Sequence, residues 1–318
     1  MHRRALTLVA AVAVLAAGCA LPPGAESSSP ADGSSTTHIT AQPQRVATAG
    51  ASTTLLAIGD IASCEVSSDE DVAQLVAERT ADVAILGDAV YDSGTFLEYA
   101  TCFDPAWRPM WDRLYPAPGN HDYRTEGAAG FFQYFEERTH RQGKGWYGFD
   151  VGDHWRAIVL NSNCSQVGCG RDSAQGRFLA AQLAAATNRH VVAIAHHPRY
   201  SSGEHGSNTS MTTFFRMLYR AGAPLFLAGH DHDYERFAPQ NAAGQLDRNG
   251  VRQFVSGAGG RSHYPFEGAP EPHSQARDAT TYGILKLTLR ENGYSWRFIP
   301  VPGDDAYTDS GSKTLPPP

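Results

Sequence analysis

Five short segments carry the residue types needed to grip metal ions. They are Gly59-Asp60, Gly87-Asp88-Ala89-Val90-Tyr91, Gly119-Asn120-His121-Asp122, His196-His197-Pro198 and Gly229-His230-Asp231-His232. Carboxylate, amide, phenol and imidazole form a hard-to-borderline donor set, suited to zinc, iron or manganese. A Gly-Asp pair alone is usually a turn. Gly119-Asn120-His121-Asp122 says more, because a turn calls for Asn or Asp but not for a following His. In the last segment, His230 and His232 stand at i and i+2 after an apolar run, where core packing has no use for them.

Each segment ends such a run: Leu55-Leu56-Ala57-Ile58, Val83-Ala84-Ile85-Leu86, Leu114-Tyr115-Pro116-Ala117, Val191-Val192-Ala193-Ile194-Ala195 and Leu225-Phe226-Leu227-Ala228. Short apolar runs capped by Gly read as buried strands. Five strands would then deliver polar residues at their C-terminal ends, the edge where open α/β sheets bind ligands.

The elements around them follow from pattern. Strands are expected near 53–59 and 82–87 with a helix near 69–79 between them, a β-α-β unit that implies parallel pairing. A helical stretch over 95–112 and a short helix at 131–135 come next, then a hairpin of 146–151 with 155–160 turning at Gly152-Asp153. Helices at 173–186 and 210–220 flank the strand at 191–195, and strands at 224–228, 251–256, 282–289 and 294–301 complete the series. Alternating units followed by antiparallel strands predict an α/β fold of two mixed β-sheets packed as a sandwich, with helices outside. Asn161-Ser162-Asn163 reads as a tight turn. Gly257-Ala258-Gly259-Gly260 reads as a flexible one, with an anion cradle of backbone N–H groups as the alternative. Tyr123, Arg124, Tyr200, Tyr234 and Arg236 flank the polar segments and are expected to line the mouth of a site.

The ends of the chain differ from this middle. Arg3-Arg4 followed by apolar Ala5 to Ala17 reads as an export signal, too short to span a bilayer as a helix. Leu15-Ala16-Ala17-Gly18-Cys19 resembles a bacterial lipoprotein cleavage box, so residues 1–19 are expected to be a signal peptide with Cys19 lipidated; an ordinary secretory signal is the alternative. Residues 20–50 are rich in Ser, Thr, Pro, Ala and Gly, cannot bury enough surface to order, and read as a tether. That leaves 51–302 as one domain of about 250 residues, and 303–318 as a loose tail. The formal charge of −7 offers no basic footprint for nucleic acid. Of five cysteines, four remain after Cys19. In an exported chain they favour two disulfides, for which three pairings exist. Cys164 and Cys169 suit a small loop closure, which leaves Cys64 with Cys102.

In this order and spacing, the five segments resemble the calcineurin-like metallophosphoesterase superfamily, and within it the purple acid phosphatase branch. The resemblance covers residues 53–301. The superfamily's usual first motif is Asp-x-His, but Asp60-Ile61-Ala62 holds no histidine. Tyr91 instead stands three residues after Asp88, where purple acid phosphatases place a metal-binding tyrosinate. Ala62 stands where plant and animal members generally carry Gly.

The resemblance implies two metal ions, Fe(III) with a divalent Zn, Fe or Mn. Asp60, Asp88, Tyr91 and His232 would hold the first, and Asp88, Asn120, His196 and His230 the second. It implies that His121 protonates the leaving group, that His205 contacts phosphate and that His197, where relatives often have Ser, touches substrate. The activity implied is hydrolysis of phosphate monoesters by metal-bound hydroxide, with phosphodiesters as the runner-up. A reading of another class is a non-catalytic surface lipoprotein that keeps a metal or binds a phosphorylated ligand. His121 speaks against it, since an idle site needs no proton donor.

Overall fold

The computed structural model describes residues 51–139, 143–303 and 306–318. The expected signal peptide, the lipidation site at Cys19 and the whole of the 20–50 tether lie outside the described residues. The strands in chain order are β1 (Thr53–Ile58), β2 (Ala62–Ser63), β3 (Asp82–Ile85), β4 (Val90–Tyr91) and β5 (Leu114–Pro116). Then come β6 (Tyr147–Val151), β7 (Trp155–Val159), β8 (His190–Ile194), β9 (Leu225–Ala228) and β10 (Tyr234–Phe237). The last are β11 (Arg252–Ser256), β12 (Ser274–Asp278), β13 (Gly283–Arg290), β14 (Gly293–Pro300) and β15 (Ser310–Thr314).

They form two mixed sheets, ordered β15-β14-β13-β1-β3-β5 and β12-β10-β11-β9-β8-β7-β6, with β2 and β4 pairing apart. β1, β3 and β5 run parallel, as do β7, β8, β9 and β11. The period of two in each strand divides its side chains between two cores. Leu55, Ala57, Ala84, Val192, Ile194, Leu225 and Leu227 pack between the sheets with Leu285, Leu287 and Trp296. Their neighbours Leu56, Ile58, Val83 and Ile85 turn outward to Val72 and Val76 of the helix Ser68–Ala77 and to Phe103 and Trp107. On the other sheet Val191, Ala193 and Phe226 meet Leu179 of helix Ala174–Ala185 and Phe214, Phe215 and Leu218 of helix Thr212–Arg220. This is the expected sandwich with helices on both outer faces.

Three expectations are corrected. The stretch 95–112 is helical in pieces: Phe96–Glu98, a π turn at Tyr99–Phe103, Asp104–Trp107 and a 3-10 turn at Arg108–Arg113. Pro105 and Pro109 lack the N–H that a continuous α-helix needs. The tail after 303 is not loose throughout, because Ser310–Thr314 forms β15 on the edge of the first sheet. Asp309 pins it by accepting bonds from Tyr234, Arg236 and the Trp296 indole at 2.7–3.0 Å. Tyr234 and Arg236 are thereby turned to the tail, and Tyr200 packs on Phe215, so none of these three lines a mouth.

Both described disulfides join the expected partners. Cys64–Cys102, with Cα atoms 4.9 Å apart, anchors the chain just after β2, whose partner β4 carries Tyr91. Cys164–Cys169, at 5.1 Å, closes the turn that follows Asn163. No helix among the described residues is long and apolar enough to cross a membrane.

Candidate metal centre

The loops after β1, β3, β5, β8 and β9 converge at one edge, and the seven candidate ligands meet there. Donor atoms of Asp60, Asp88 and His196 lie within 4.8 Å of one another, forming a buried metal-binding triad. The Tyr91 hydroxyl sits 2.8 Å from Asp60 Oδ1, 3.3 Å from Asp88 Oδ2 and 3.0 Å from His232 Nε2. On the other side, His196 Nε2 is 2.9 Å from Asn120 Oδ1, 3.1 Å from Asp88 Oδ2 and 3.2 Å from His230 Nδ1. Asp88 therefore stands between a group of Asp60, Tyr91 and His232 and a group of Asn120, His196 and His230. Asp60, Asp88, Tyr91, His196 and His232 are buried, while Asn120 and His230 are half-buried.

The backbone bends to bring these groups together. Asp60 (φ 61°), Asp88 (φ 45°) and His230 (φ 78°) adopt left-handed conformations, which cost a non-glycine residue free energy and cluster at functional sites. Main-chain donors hold the acids: His230 N–H donates to Asp60 Oδ2 at 2.8 Å and His121 N–H to Asp88 Oδ1 at 2.9 Å. Gly119 makes this approach possible, since a Cβ there would fall 1.9 Å from Asp88 Oδ1. Asp122 secures the same loop, accepting from Gly119 N–H at 2.7 Å and from the Tyr99 hydroxyl at 2.6 Å.

The electrostatics call for positive charge. Burial, with the Asp88 charge adding to it, pushes Asp60 up to about 8. Burial opposes ionisation of Asp88 too, but the neighbouring His196 and His121 hold it below the usual carboxylate range. Burial alone would depress His196, yet Asp88 pulls it up to about 9. Tyr91 is raised well above 10 by burial and then by the Asp60 and Asp88 charges. Protons on Asp60, His196 and Tyr91 thus take the place that cations would fill. His232, lowered to about 3, and His230, lowered further, are neutral because burial and the charged His196 disfavour a second cation. Neutral imidazoles are the ligand form. His196 Nδ1 faces the Leu86 carbonyl at 2.8 Å and keeps its proton there, so Nε2 is the nitrogen that would exchange its proton for a metal ion. His232 Nδ1 lies 2.8 Å from the Ser262 hydroxyl, which holds the ring, while Nε2 faces the Tyr91 hydroxyl. The donor set fits metal cations.

The three candidate catalytic histidines surround the triad. His121 is half-buried; its Nδ1 donates to the Asp92 carbonyl at 2.6 Å, and its ring lies 4.3 Å from that of Tyr91. Burial lowers its pKa. His197 Nδ1 bonds the Ser162 hydroxyl at 2.8 Å, and burial with the adjacent His196 lowers it to about 3. The rings of His197 and His205 lie 4.3 Å and 4.4 Å from that of His230. Among the expected mouth residues, half-buried Tyr123 and exposed Arg124 do sit beside this edge, and Arg124 pairs with Asp92 at 3.1 Å.

Sequence reasoning missed the residues that hold these rings. Asn161-Ser162-Asn163, read as a turn, ends β7 on the same edge. Ser162 fixes His197, Asn163 Nδ2 donates to the Gly119 carbonyl at 3.2 Å, and Asn161 Nδ2 donates to the Tyr123 hydroxyl at 2.8 Å. Their position at a strand's C-terminal end was the available signal. The glycines at 257–260 are packed rather than flexible: a Cβ on Gly257 would meet Asp60 Oδ2 at 2.6 Å. Beyond them Tyr264 stacks on His232 at 4.2 Å and Arg261 lies over the Tyr91 ring at 5.3 Å, neither of which spacing predicts.

Similarity to known proteins agrees with this geometry. Rat (Rattus norvegicus) tartrate-resistant acid phosphatase type 5 is 36% identical over 83 residues, 26% of this chain and 23% of that protein. An acid phosphatase of Aspergillus ficuum is 31% identical over 145 residues, 39% of this chain and 23% of its own. The chain thus matches under a quarter of the length of either relative. In fold it is similar to a purple acid phosphatase from yellow lupin (Lupinus luteus) seeds, with TM-score 0.70, 18% identity and coverage of 83% of this chain and 54% of that one. It is also similar to GAP50, an anchor in the inner membrane complex of Plasmodium, with TM-score 0.61, 16% identity and coverage of 84% and 89%. The family model for calcineurin-like phosphoesterases matches residues 53–234, more than half of the chain, and the protein belongs to that family.

Proposed function

We propose that this protein hydrolyses phosphate monoesters at a dinuclear metal centre. The observation that carries this reading is the placement of Asp88 between two donor groups, each completed by three further side chains. Asp60, Asp88, Tyr91 and His232 would hold one ion, and Asp88, Asn120, His196 and His230 the other. Three anionic ligands suit a trivalent ion beside a divalent one, because Tyr91 resists ionisation until a strong positive charge offsets its buried acids. We propose Fe(III) with Zn, Fe or Mn. When bound, such a pair supplies Lewis acidity and an activated water for in-line attack on phosphorus.

The protein's own groups do the rest. His121, with Nδ1 committed to Asp92, offers Nε2 to the departing oxygen and donates the proton that the alkoxide needs. His197 and His205 flank His230 and contact the equatorial oxygens, where charge builds in the transition state. Buried Asp60 and Asp88, clamped by main-chain N–H groups, keep the ligand frame from moving during turnover.

The test compares purified protein on mono- and bis-aryl phosphates across pH. Preference for the monoester is expected, with Asp88→Ala losing metal and activity together. His121→Ala should keep its metal yet slow by roughly 100- to 10,000-fold on esters with poor leaving groups. Full rate in His121→Ala, or faster cleavage of the diester, overturns the corresponding part of the reading.

We further propose export and a lipid anchor on Cys19. Disulfides at 64–102 and 164–169 suit an oxidising compartment. A mature protein beginning beyond Cys19 would show plain secretion instead.

A further inference from the structure

We propose that Asp231 is a positioning residue that sets the ring of His205, with Ser201 bracing it. The inference rests on the reading of His205 as a phosphate contact. Asp231 lies between the candidate ligands His230 and His232. Two ligands at i and i+2 need no carboxylate between them, and the residue takes no part in the centre itself.

Its contacts point elsewhere. Asp231 is wholly buried. Its Oδ1 accepts two bonds from one residue: His205 N–H at 2.8 Å and His205 Nδ1–H at 3.0 Å. One bond fixes where His205 stands and the other how its ring is turned. A carboxylate only accepts, so the ring proton is on Nδ1 and Nε2 is left for a ligand. Oδ2 accepts from the Ser201 hydroxyl, which keeps the carboxylate from rotating. The same hydroxyl oxygen accepts from Gly203 N–H at 3.0 Å, folding the Ser201–His205 loop over the acid. Gly203 permits this closure, because a Cβ there would lie 2.4 Å from Asp231 Cγ.

His205 itself is otherwise loosely held. Its side chain is 41% exposed, and its ring neighbours are His230 at 4.4 Å and Tyr264 at 5.7 Å. An exposed imidazole without a fixed partner would sample several rotamers and lose entropy on binding an anion. The buried acid removes that loss in advance.

The experiment is a double-mutant cycle on kcat/KM for 4-nitrophenyl phosphate, with metal content measured for every variant. Asp231→Asn keeps the shape but removes the charge-assisted bond. It should hold its metals and lose roughly 10- to 100-fold, the range of a hydrogen bond to a charged group. In a His205→Ala background the same change should cost less than about twofold, because the ring it positions is gone. An equal loss in both backgrounds overturns the proposal, as does loss of metal in Asp231→Asn. Should Asp231→Asn fail to fold, Ser201→Ala tests the same coupling with the carboxylate intact. If His205→Ala alone changes nothing, the reading of His205 as a phosphate contact fails, a result separate from failure of the Asp231 coupling.

Discussion

Gly119→Ala should empty the metal centre while leaving the protein folded. The added Cβ would lie 1.9 Å from Asp88 Oδ1 and 2.5 Å from both Asp88 Cγ and its backbone nitrogen. Real Cβ atoms essentially never approach closer than 3.0 Å. Swinging the carboxylate aside relieves only part of this, since the backbone nitrogen is also in the way. The β3 and β5 loops must therefore part by about 1 Å. Metal sites tolerate donor shifts of about 0.2 Å, and a misplacement of about 1 Å in a catalytic group can cost 100-fold in rate. Asp88 is the one ligand proposed to serve both ions, so both should be lost. Overpacking of this kind costs about 1–3 kcal/mol, against about 5–15 kcal/mol for a typical domain. Circular dichroism should then report a folded protein. Elemental analysis should report little metal, and aryl phosphate turnover should fall by at least about 100-fold. Gly170→Ala is the control, because a Cβ there meets nothing within 4 Å. A Gly119→Ala protein that keeps its metals and its rate would refute the reasoning.

Three further outcomes are expected. With iron supplied, Tyr91→Phe should lose a visible absorption band while retaining its fold; an iron-loaded sample with an unchanged spectrum would remove Tyr91 from the ligand set. Asp69, raised to about 7 by burial and then by Glu70, binds its proton more tightly folded than unfolded, so stability falls as pH rises from about 4 through about 7. Asp69→Asn should accordingly gain on wild type across that window in thermal unfolding and gain no more above it, whereas a pH-independent offset would contradict the assignment. Asp309→Ala strands the donors of Tyr234, Arg236 and Trp296, and should lower stability by about 2–4 kcal/mol. Faster amide exchange in β15 should accompany it, and an unchanged melting temperature would show that the tail is held by strand pairing alone.

The parallel strands β1, β3, β5, β8 and β9 were legible because each lies in a short buried apolar run, and they fall within a residue or two of their expected places. β10, β12 and β15 were not. Tyr-Glu-Arg-Phe, Ser-Gln-Ala-Arg-Asp and Ser-Gly-Ser-Lys-Thr lack the apolar signature of the others, and main-chain pairing with neighbouring strands places them. The same distinction explains Tyr234 and Arg236. Their nearness to His232 in sequence suggested a mouth, but Asp309, more than seventy residues on, turns them away.

By itself the sequence determined which donor types stand at strand ends and in what order, because those depend on local residue identity and strand periodicity. Only the tertiary structure decided how they face one another. The left-handed backbone at Asp60, Asp88 and His230 persists because surrounding packing over-determines it. The imidazoles are aimed by Leu86, Ser162, Ser262 and Asp231, which lie 110, 35, 30 and 26 residues from the rings they hold. Hydrogen bonds across such separations leave no periodicity to read, since they form only after the two sheets have brought those loops to one edge.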